Sequence, residues 1–182
     1  MQNNEYDAQH ILKELQNSYW EGVEDPEEVK SALQDLIYVL VIQFSQSCFA
    51  IELLKTKEVL KVPKITSVPR SPEELLGLIN LRGRICPLYD IRKILSLPKI
   101  EITEATRLIM IHLEAQQVGI LVDHILSIHE LQKNDLQPPL VDDIKFKKQY
   151  ILGKFYLNHN LVLLLDIEKL FQSQELTKVH LE

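Results

Sequence analysis

The chain has 182 residues, a formal net charge of -6 and a hydrophobic content of 46%. These values fit one ordinary soluble domain, or two small ones that share a core. No apolar run approaches the roughly 18 residues that a membrane-spanning helix needs. The start of the sequence is polar and acidic, unlike a secretory signal. We therefore expect a cytoplasmic protein with no direct membrane insertion.

The negative charge is concentrated in the first 35 residues, which contain nine acids and two lysines, a balance of -7. The other 147 residues carry 17 acids and 18 bases. Residues 55–95 are locally basic, with nine lysines or arginines against four acids. Such a strip can contact phosphates, which keeps a small nucleic-acid-binding β-barrel as an alternative. Its only aromatic residue is Tyr89, however, and base stacking is not suggested.

The acidic segment, residues 1–36, is predicted to be a helical extension. Apolar residues between Ile11 and Tyr19 recur at helical spacing. A second helix is predicted to begin at Asp25, where a capping residue precedes a proline and an acid follows at Glu28. Acidic amphipathic helices of this kind either pack on the core or form a partner-binding arm, and the sequence leaves both open.

From Ile37 onward the apolar pattern changes to short, β-rich segments. Polar or proline-containing breaks separate them: IYVLVIQF, CFAIELL, RLIMIHL, QVGILVD, HILSIHEL, YILGKFYL and LVLLLDI. This spacing is typical of a mainly β domain built as a small barrel or sandwich. In the long connection before residue 78, SPEELLG predicts one short helix, with Ser71 as its N-cap and Gly77 just beyond its end.

The second half of this region repeats the first. Residues 76–95, LGLINLRGRICPLYDIRKIL, align without a gap to residues 152–171, LGKFYLNHNLVLLLDIEKLF. Upstream, residues 49–60 and 118–131 share an apolar pattern. Identical pairs include Gly77/Gly153 and Asp90/Asp166. Each aspartate is predicted to cap a short closing helix. Because one copy alone buries little core, we expect the two copies to fold together.

No motif in the sequence points to an enzyme. The histidines lack the spacing of a zinc site, and the chain has no nucleophile elbow, Walker loop or GxGxxG. Asp123 and His124 are the one pair that suits a hydrolase, but no nucleophile motif accompanies them. We predict no catalytic residue, no metal and no cofactor. Cys48 and Cys86 are expected to be buried free thiols.

The most unusual stretch is Asn-Leu-Arg-Gly at residues 80–83, which interrupts an apolar strand pattern. Gly83 permits a hairpin turn. Pro87 cannot donate a ladder hydrogen bond, so an edge or an irregularity is expected there. The aligned turn at residues 157–160 reads Leu-Asn-His-Asn. Because the second copy lacks the arginine, we favour a role for Arg82 that is specific to the first copy over a local salt bridge.

With this stretch the sequence resembles the CheW-like family of chemotaxis coupling proteins, from about Tyr38 to Phe171. The family's hallmark is Gly-x-(Ile/Val)-Asn-Leu-Arg-Gly, followed by Pro and Asp-(Leu/Ile)-Arg. The matching residues in this chain are Gly77, Ile79, Asn80, Leu81, Arg82, Gly83, Pro87, Asp90, Ile91 and Arg92. A motif of this length is far more specific than a lone glycine pattern.

The resemblance implies a mainly β fold of two pseudo-repeated, SH3-like five-stranded β-barrels with short helices, spanning residues 37–175. The first barrel unit would cover about residues 37–103 and the second about 104–172, with an exchange of strands between them left open. The resemblance also implies a non-catalytic adaptor or scaffold in signal transduction. Such a protein couples methyl-accepting chemoreceptors to the regulatory domain of a chemotaxis histidine kinase, in chemotaxis or in pilus-based twitching or phototaxis.

In the family, the arginine of the Asn-Leu-Arg-Gly turn and its surroundings line the groove that meets the receptor helices. Carried over to this chain, the predicted partner-binding residues are Glu58, Gly77, Asn80 and Arg82. The predicted turn and structural positions are Gly83, Pro87, Asp90, Gly153 and Asp166. A groove between barrels can accept the apolar ridge of a helical receptor tip while Arg82 pairs with an acid or a carbonyl. The cytoplasmic protein would then be recruited to membrane-associated receptor arrays.

Overall fold

A computed structural model describes residues 6–7, 35–99, 101–113, 116–139 and 146–172. The strands in these residues confirm the predicted mainly β fold. Most of the predicted helical extension, residues 1–36, lies outside the described residues. Within it, Tyr6–Asp7 form a short strand and Leu36 begins another. The two helices predicted within the extension, between Ile11 and Tyr19 and from Asp25 onward, lie almost entirely outside the described residues.

The described strands are β1 (Tyr6–Asp7), β2 (Leu36–Phe44), β3 (Ser47–Glu52), β4 (Thr56–Lys61), β5 (Leu75–Leu81), β6 (Arg84–Tyr89), β7 (Arg107–His112), β8 (Gln117–Val122), β9 (His124–Gln132), β10 (Ile151–Leu157) and β11 (Asn160–Leu165). An α-helix, α1, spans Ile167–Gln172. Short 3-10 turns occupy Leu53–Lys55, Lys133–Asp135 and Lys148–Tyr150. All seven β-rich segments predicted from the sequence correspond to strands.

The strands form two sheets of related topology. Sheet A has the order β1-β4-β7-β8-β6-β5, and sheet B has the order β10-β11-β3-β2-β9. Without β1, each sheet has five strands, and each contains one parallel pair, β6–β8 in sheet A and β3–β11 in sheet B. Strands β4 to β8 of sheet A therefore match β9, β10, β11, β2 and β3 of sheet B. The predicted repeat is real in three dimensions.

Each sheet closes into a barrel through one backbone bridge. Thr66, in the connection after β4, exchanges two hydrogen bonds of 2.8 Å with Leu78 of β5. In the equivalent place, Gln137 after β9 exchanges bonds of 2.9 and 2.8 Å with Lys154 of β10. The two bridges join opposite ends of each five-stranded sheet. We call the results barrel A and barrel B.

From β2 onward, the chain crosses between the barrels twice. Strands β2 and β3, from the first repeat, lie in barrel B, whereas β7 and β8, from the second repeat, lie in barrel A. The crossings fall between β3 and β4 and between β8 and β9. Each barrel thus contains strands from both repeats. Neither repeat has a complete sheet without the other, which agrees with the expectation that the two fold together.

Three groups of apolar side chains hold this arrangement. Barrel A encloses Ile79, Cys86, Leu88, Leu108, Met110 and Leu121. Barrel B encloses Val39, Val41, Ala50, Leu131, Phe155, Val162 and Leu164. A larger shared core, which includes Leu40, Ile42, Ile109 and Ile111, lies between the barrels. The alternating residues of β2 and β7 face two different cores, so these strands are apolar on both faces and read as continuous apolar runs.

The short helix predicted for SPEELLG is absent from the structure, so that prediction was wrong. Residues 73 and 74 form a turn in which the Leu75 N–H donates to the Pro72 carbonyl at 3.1 Å, and β5 begins at Leu75. Gly77 is not a helix terminus. It lies in a register shift of β5 with φ of +146°, and a Cβ there would overlap the Thr66 carbonyl oxygen. Strand pairing on both sides overrides the local capping pattern.

The two predicted aspartate caps differ in outcome. The Asp166 carboxylate accepts from the Lys169 N–H at 2.9 Å, so it caps α1 as predicted. Asp90 accepts from the Arg92 N–H at 3.1 Å, but residues 92–96 form turns rather than the predicted helix. A bond of 3.1 Å from Leu95 N–H to the Ile91 carbonyl marks one helical turn, which ends at Ser96 with φ of 59°.

Pro87 lies in β6, an interior strand of sheet A rather than an edge. Its side toward β5 pairs with Leu78, while pairing with β8 begins one residue later, at Leu88. Proline has no N–H to donate, and Pro87 precedes the part of β6 that pairs with β8, so no hydrogen bond between these strands is lost there. The register shift in this hairpin lies on β5, between Leu75 and Gly77. The expectation of an edge was wrong, and the irregularity is on the partner strand.

Candidate docking surface

A tight turn at Arg82–Gly83 joins β5 to β6. Both residues have positive φ, 51° and 85°, as a two-residue turn of the type I′ class requires. The Asn80 side-chain oxygen accepts from the Gly83 N–H at 2.9 Å. A Cβ at Gly83 would meet nothing within 4 Å, so glycine is needed there for its backbone conformation rather than for space. Asn80 and Gly83 therefore build the turn.

The equivalent turn of barrel B has the same backbone without an arginine or a glycine. Asn158 and His159 have φ of 48° and 65°. Asparagine tolerates this left-handed region, whereas arginine is disfavoured in it. Arg82 is thus not the residue that the turn itself prefers. Because barrel B forms the same turn without an arginine, this contrast supports a role for the Arg82 side chain other than building the barrel.

The Arg82 guanidinium lies beside Glu58 of β4, with 3.5 Å between Nη2 and Oε2. The arginine side chain is 69% exposed and the glutamate 18%. The local salt bridge considered as an alternative from the sequence is therefore present. An ion pair that is exposed to this degree contributes only about 0–1 kcal/mol to stability. The pair positions a charged group at the surface more than it holds the fold together.

Ile85 extends this surface and was not predicted from the sequence. It stands opposite Asn80 in the β5–β6 pairing and is 62% exposed. Alternation along β6, where Cys86 and Leu88 point inward, is the signal that would have placed it outside. We call Glu58, Asn80, Arg82, Arg84 and Ile85 the hairpin surface. It combines two arginines, a carboxylate, an amide and an apolar side chain within one turn and its neighbours.

Gly77 does not lie on the hairpin surface. It is buried at the closure of barrel A, where it allows the Thr66 carbonyl to approach. Of the four predicted partner-binding residues, the structure places Glu58 and Arg82 in contact and Asn80 in the same turn. The role of Gly77 in this geometry is indirect, because it determines how β5 meets the segment that closes the barrel.

Cys86 lies beneath the hairpin surface. Burial raises the pKa of its thiol, while the positive charges of Lys57 and Arg84 act in the opposite direction. Both cysteines are free, as expected, although only Cys86 is fully buried and Cys48 is half-buried. The raised pKa keeps the Cys86 thiol protonated at neutral pH, which argues against a nucleophilic role.

Asp123, which the hydrolase hypothesis required, is buried and committed to structural contacts. It binds the guanidinium of Arg92 and accepts from the Ser45 N–H at 2.6 Å. Arg92 is itself 3% exposed, lies 2.9 Å from Asp90 and stacks over the Phe44 ring at 5.2 Å. This network ties the turn after β6 to the crossing between β8 and β9. The sequence contained Arg92 as part of a motif but gave no sign of its partner.

Within the described ranges, no three histidine, cysteine or acidic side chains are grouped as a metal site requires. Among those same residues, no helix has the length and apolar character needed to cross a membrane.

Two closed barrels with a shared core and an exposed, charged turn on one of them define a double-barrel β protein. The sequence of residues 38–175 matches the family described as the CheW-like domain. The chain belongs to this family.

Several relatives carry the name chemotaxis protein CheW. That of Klebsiella aerogenes is 27% identical over 140 residues, which cover 77% of this chain and 84% of the relative. That of Thermotoga maritima is 31% identical over 134 residues, which cover 74% and 87%. Protein FrzA of Myxococcus xanthus is 29% identical over 119 residues, which cover 64% and 73%.

A solved structure shares the fold. The scaffolding protein TtCheW from Thermoanaerobacter tengcongensis has a TM-score of 0.70 and 23% sequence identity, and the match covers 76% of this chain and 90% of that one.

Proposed function

We propose that this protein is a non-catalytic coupling adaptor that joins the cytoplasmic tip of a chemoreceptor to the regulatory domain of a chemotaxis-type histidine kinase. The observation that carries the proposal is Arg82. It is held exposed beside Glu58, on a turn that does not need an arginine, in a chain that belongs to the CheW-like domain family. The relatives named for chemotaxis and the fold shared with a scaffolding protein support the same role.

The chemistry of the hairpin surface suits a helical partner. An arginine fork can make two parallel hydrogen bonds to a carboxylate or can bind backbone carbonyls at a helix end. Ile85 supplies an apolar contact within the same hairpin, so an amphipathic receptor helix can place an apolar ridge against it while an acid meets Arg82. The proposal includes recruitment from the cytoplasm to receptor arrays in chemotaxis, or in pilus-based twitching or phototaxis.

The nucleic-acid alternative has no support from the comparisons. The structure also pairs several of the basic residues in 55–95, the strip that motivated this alternative, with nearby acids. Lys93 contacts Glu73 at 2.8 Å and Glu74 at 3.2 Å, and its hydrogen bond with Glu73 raises the pKa of the lysine and lowers that of the glutamate. Arg92 is buried, and Lys55 is paired with Glu168. Several of the positive charges are therefore already neutralised by nearby acids, which weakens any phosphate-binding surface.

The test is a binding assay of the full chain with a receptor tip fragment and, separately, with a kinase regulatory domain from the same source. We compare the wild type with Arg82→Glu and Arg82→Asn. The matched control is Asn158→Glu, which places a glutamate at the equivalent left-handed position of barrel B. Arg82→Asn introduces the residue that the equivalent turn already contains, so it removes the charge without disturbing the backbone.

We expect Arg82→Glu to weaken receptor binding at least tenfold and Asn158→Glu to leave it unchanged. The loss of a charge-assisted, partly desolvated contact is on the order of 1.5–3 kcal/mol, which corresponds to that range. Circular dichroism and thermal unfolding should show both variants folded. Equal losses in Arg82→Glu and Asn158→Glu would remove the docking role of Arg82. Absence of binding to both partners by the wild type would remove the coupling function.

A further inference from the structure

The outer edge of β4 is covered by the chain's own N-terminal segment. Strand β1 pairs antiparallel with β4, with Tyr6 opposite Val59 and Asp7 opposite Glu58. On its other side β4 pairs with β7. The residue opposite Asp7 is thus the same glutamate that contacts Arg82 of the hairpin surface. The added strand lies directly beside the proposed docking site.

Barrel B shows what this edge looks like without an added strand. The strand equivalent to β4 is β9, which ends the order of sheet B, and among the described residues no strand pairs with its outer side. The domain therefore does not require a strand in this position in order to close. Strand β1 also precedes the family domain, which begins at residue 38. An exposed strand edge is a template for pairing with another segment. In barrel A, the chain's own strand β1 pairs with this edge.

The net charge of the N-terminal segment is opposite to that of the basic residues around β4, although the register itself places Asp7 opposite Glu58. Residues 1–35 carry a balance of -7, with nine acids against two lysines. Along β4 and the hairpin surface the chain has Lys57, Lys61, Arg82 and Arg84. Strand addition supplies affinity through the main chain, and opposite charge adds to it and makes it sensitive to salt.

We propose that the acidic N-terminal segment is a built-in ligand of the β4 edge, which competes with external partners for the adjoining surface at Glu58 and Arg82. The strand pairing stands on the geometry alone, whereas the competition rests on the proposed function. While the segment is paired, the binding-competent fraction of the protein is reduced. The apparent dissociation constant for a partner at this surface increases in inverse proportion to that fraction.

The pairing is tested by amide hydrogen exchange in the full chain. The double variant Tyr6→Pro/Asp7→Pro removes two backbone N–H groups and fixes φ, so it prevents the added strand. The matched control is Gln16→Pro/Asn17→Pro, which places the same two prolines elsewhere in the N-terminal segment. We expect exchange within Thr56–Lys61 to accelerate at least fivefold in the first variant and to remain unchanged in the control. Unchanged exchange in both variants would overturn the proposal.

The competition is tested with the same variants and the receptor tip fragment. We expect Tyr6→Pro/Asp7→Pro to bind about three- to tenfold more tightly than the wild type, with a smaller difference at high salt. If β4 exchange accelerates while receptor affinity stays the same, and Arg82→Glu still weakens binding, the competition is wrong. If no form binds the receptor fragment, the coupling function fails. In that case the amide hydrogen exchange of β4 still tests whether β1 pairs with it.

Discussion

The two crossings between the barrels are secured by ion pairs of opposite polarity. At the crossing from β8 to β9, Asp123 binds Arg92 of the turn after β6. At the crossing from β3 to β4, Lys55 binds Glu168 of α1. Arg92 and Glu168 occupy aligned positions in the repeat, and Asp123 and Lys55 each immediately precede a strand. The same architectural task is met in both places, with the charges reversed.

The two ion pairs differ in burial as well as in which partner carries the positive charge. The side chains of Arg92 and Asp123 are 3% and 7% exposed, while those of Lys55 and Glu168 are 35% and 41% exposed. Exchanged partners would bring Arg92 against Lys55 and Glu168 against Asp123, two like-charge contacts. The reversed polarity therefore favours the observed pairs, Arg92 with Asp123 and Glu168 with Lys55, over the exchanged ones. Repulsion between like charges makes the exchanged arrangement unfavourable. The comparison teaches that the repeats are equivalent in topology but not in energetics.

The largest effect is expected from Arg92→Met, which leaves Asp123 and Asp90 without their buried cation. Breaking a buried pair on one side costs about 3–5 kcal/mol. The aligned variant Glu168→Met should cost at most about 1 kcal/mol, because its pair is half exposed. Urea denaturation of the two variants measures both values. A similar loss for the two would contradict the unequal roles of the crossings. If Arg92→Met does not fold, Arg92→Lys should fold with a smaller loss.

A somewhat smaller contrast is expected between the two aligned glycines. Gly77→Ala should destabilise the protein by about 2–4 kcal/mol, because φ is positive and the Cβ would overlap the Thr66 backbone. Gly153→Ala should cost about 1–2 kcal/mol, because its nearest contact is the Leu136 side chain, which can shift, although the Gln137 carbonyl is at 3.0 Å. Thermal unfolding of both variants provides the comparison. A greater loss in Gly153→Ala would contradict the argument that overlap with the Thr66 backbone costs more than overlap with the Leu136 side chain.

A modest effect is expected when the exposed pair is reversed. Lys55→Glu and Glu168→Lys should each cost about 0.5–1 kcal/mol, because each places two like charges side by side. The double variant should recover most of that loss. The coupling free energy from the double-mutant cycle, measured by urea denaturation, should therefore be about 1 kcal/mol and should fall at high salt. Strictly additive losses would mean that the two side chains do not interact in solution.

The smallest change in stability is expected at the hairpin turns. Arg82→Asn exchanges an exposed ion pair for a residue better suited to a left-handed backbone, so the free energy of unfolding should change by less than about 0.5 kcal/mol. Asn158→Arg at the equivalent position should be destabilising by about 0.5 kcal/mol. Differential scanning calorimetry checks both. A large loss in Arg82→Asn would make the arginine a structural residue and would weaken the proposed function.

The sequence alone predicted the mainly β class, the strand segments, the repeat and the hairpin turn. These features depend on local information, such as alternation, apolar runs and residues that tolerate positive φ. Gly83 and Asp166 acquired their structural roles as predicted, because a turn and a helix cap each involve neighbours within three residues. The family motif also indicated Arg82, whose contact with Glu58 is seen only in the structure.

Only the tertiary structure decided how the repeats are joined. The exchange of strands, the burial of Arg92 against Asp123 and the strand in place of the SPEELLG helix depend on segments far apart in the chain. Such contacts leave no periodic trace in the sequence, because any of several strands can satisfy the same apolar pattern. The sequence determined which segments become strands and where they turn. The packing of three cores determined which strands become neighbours and which charges meet.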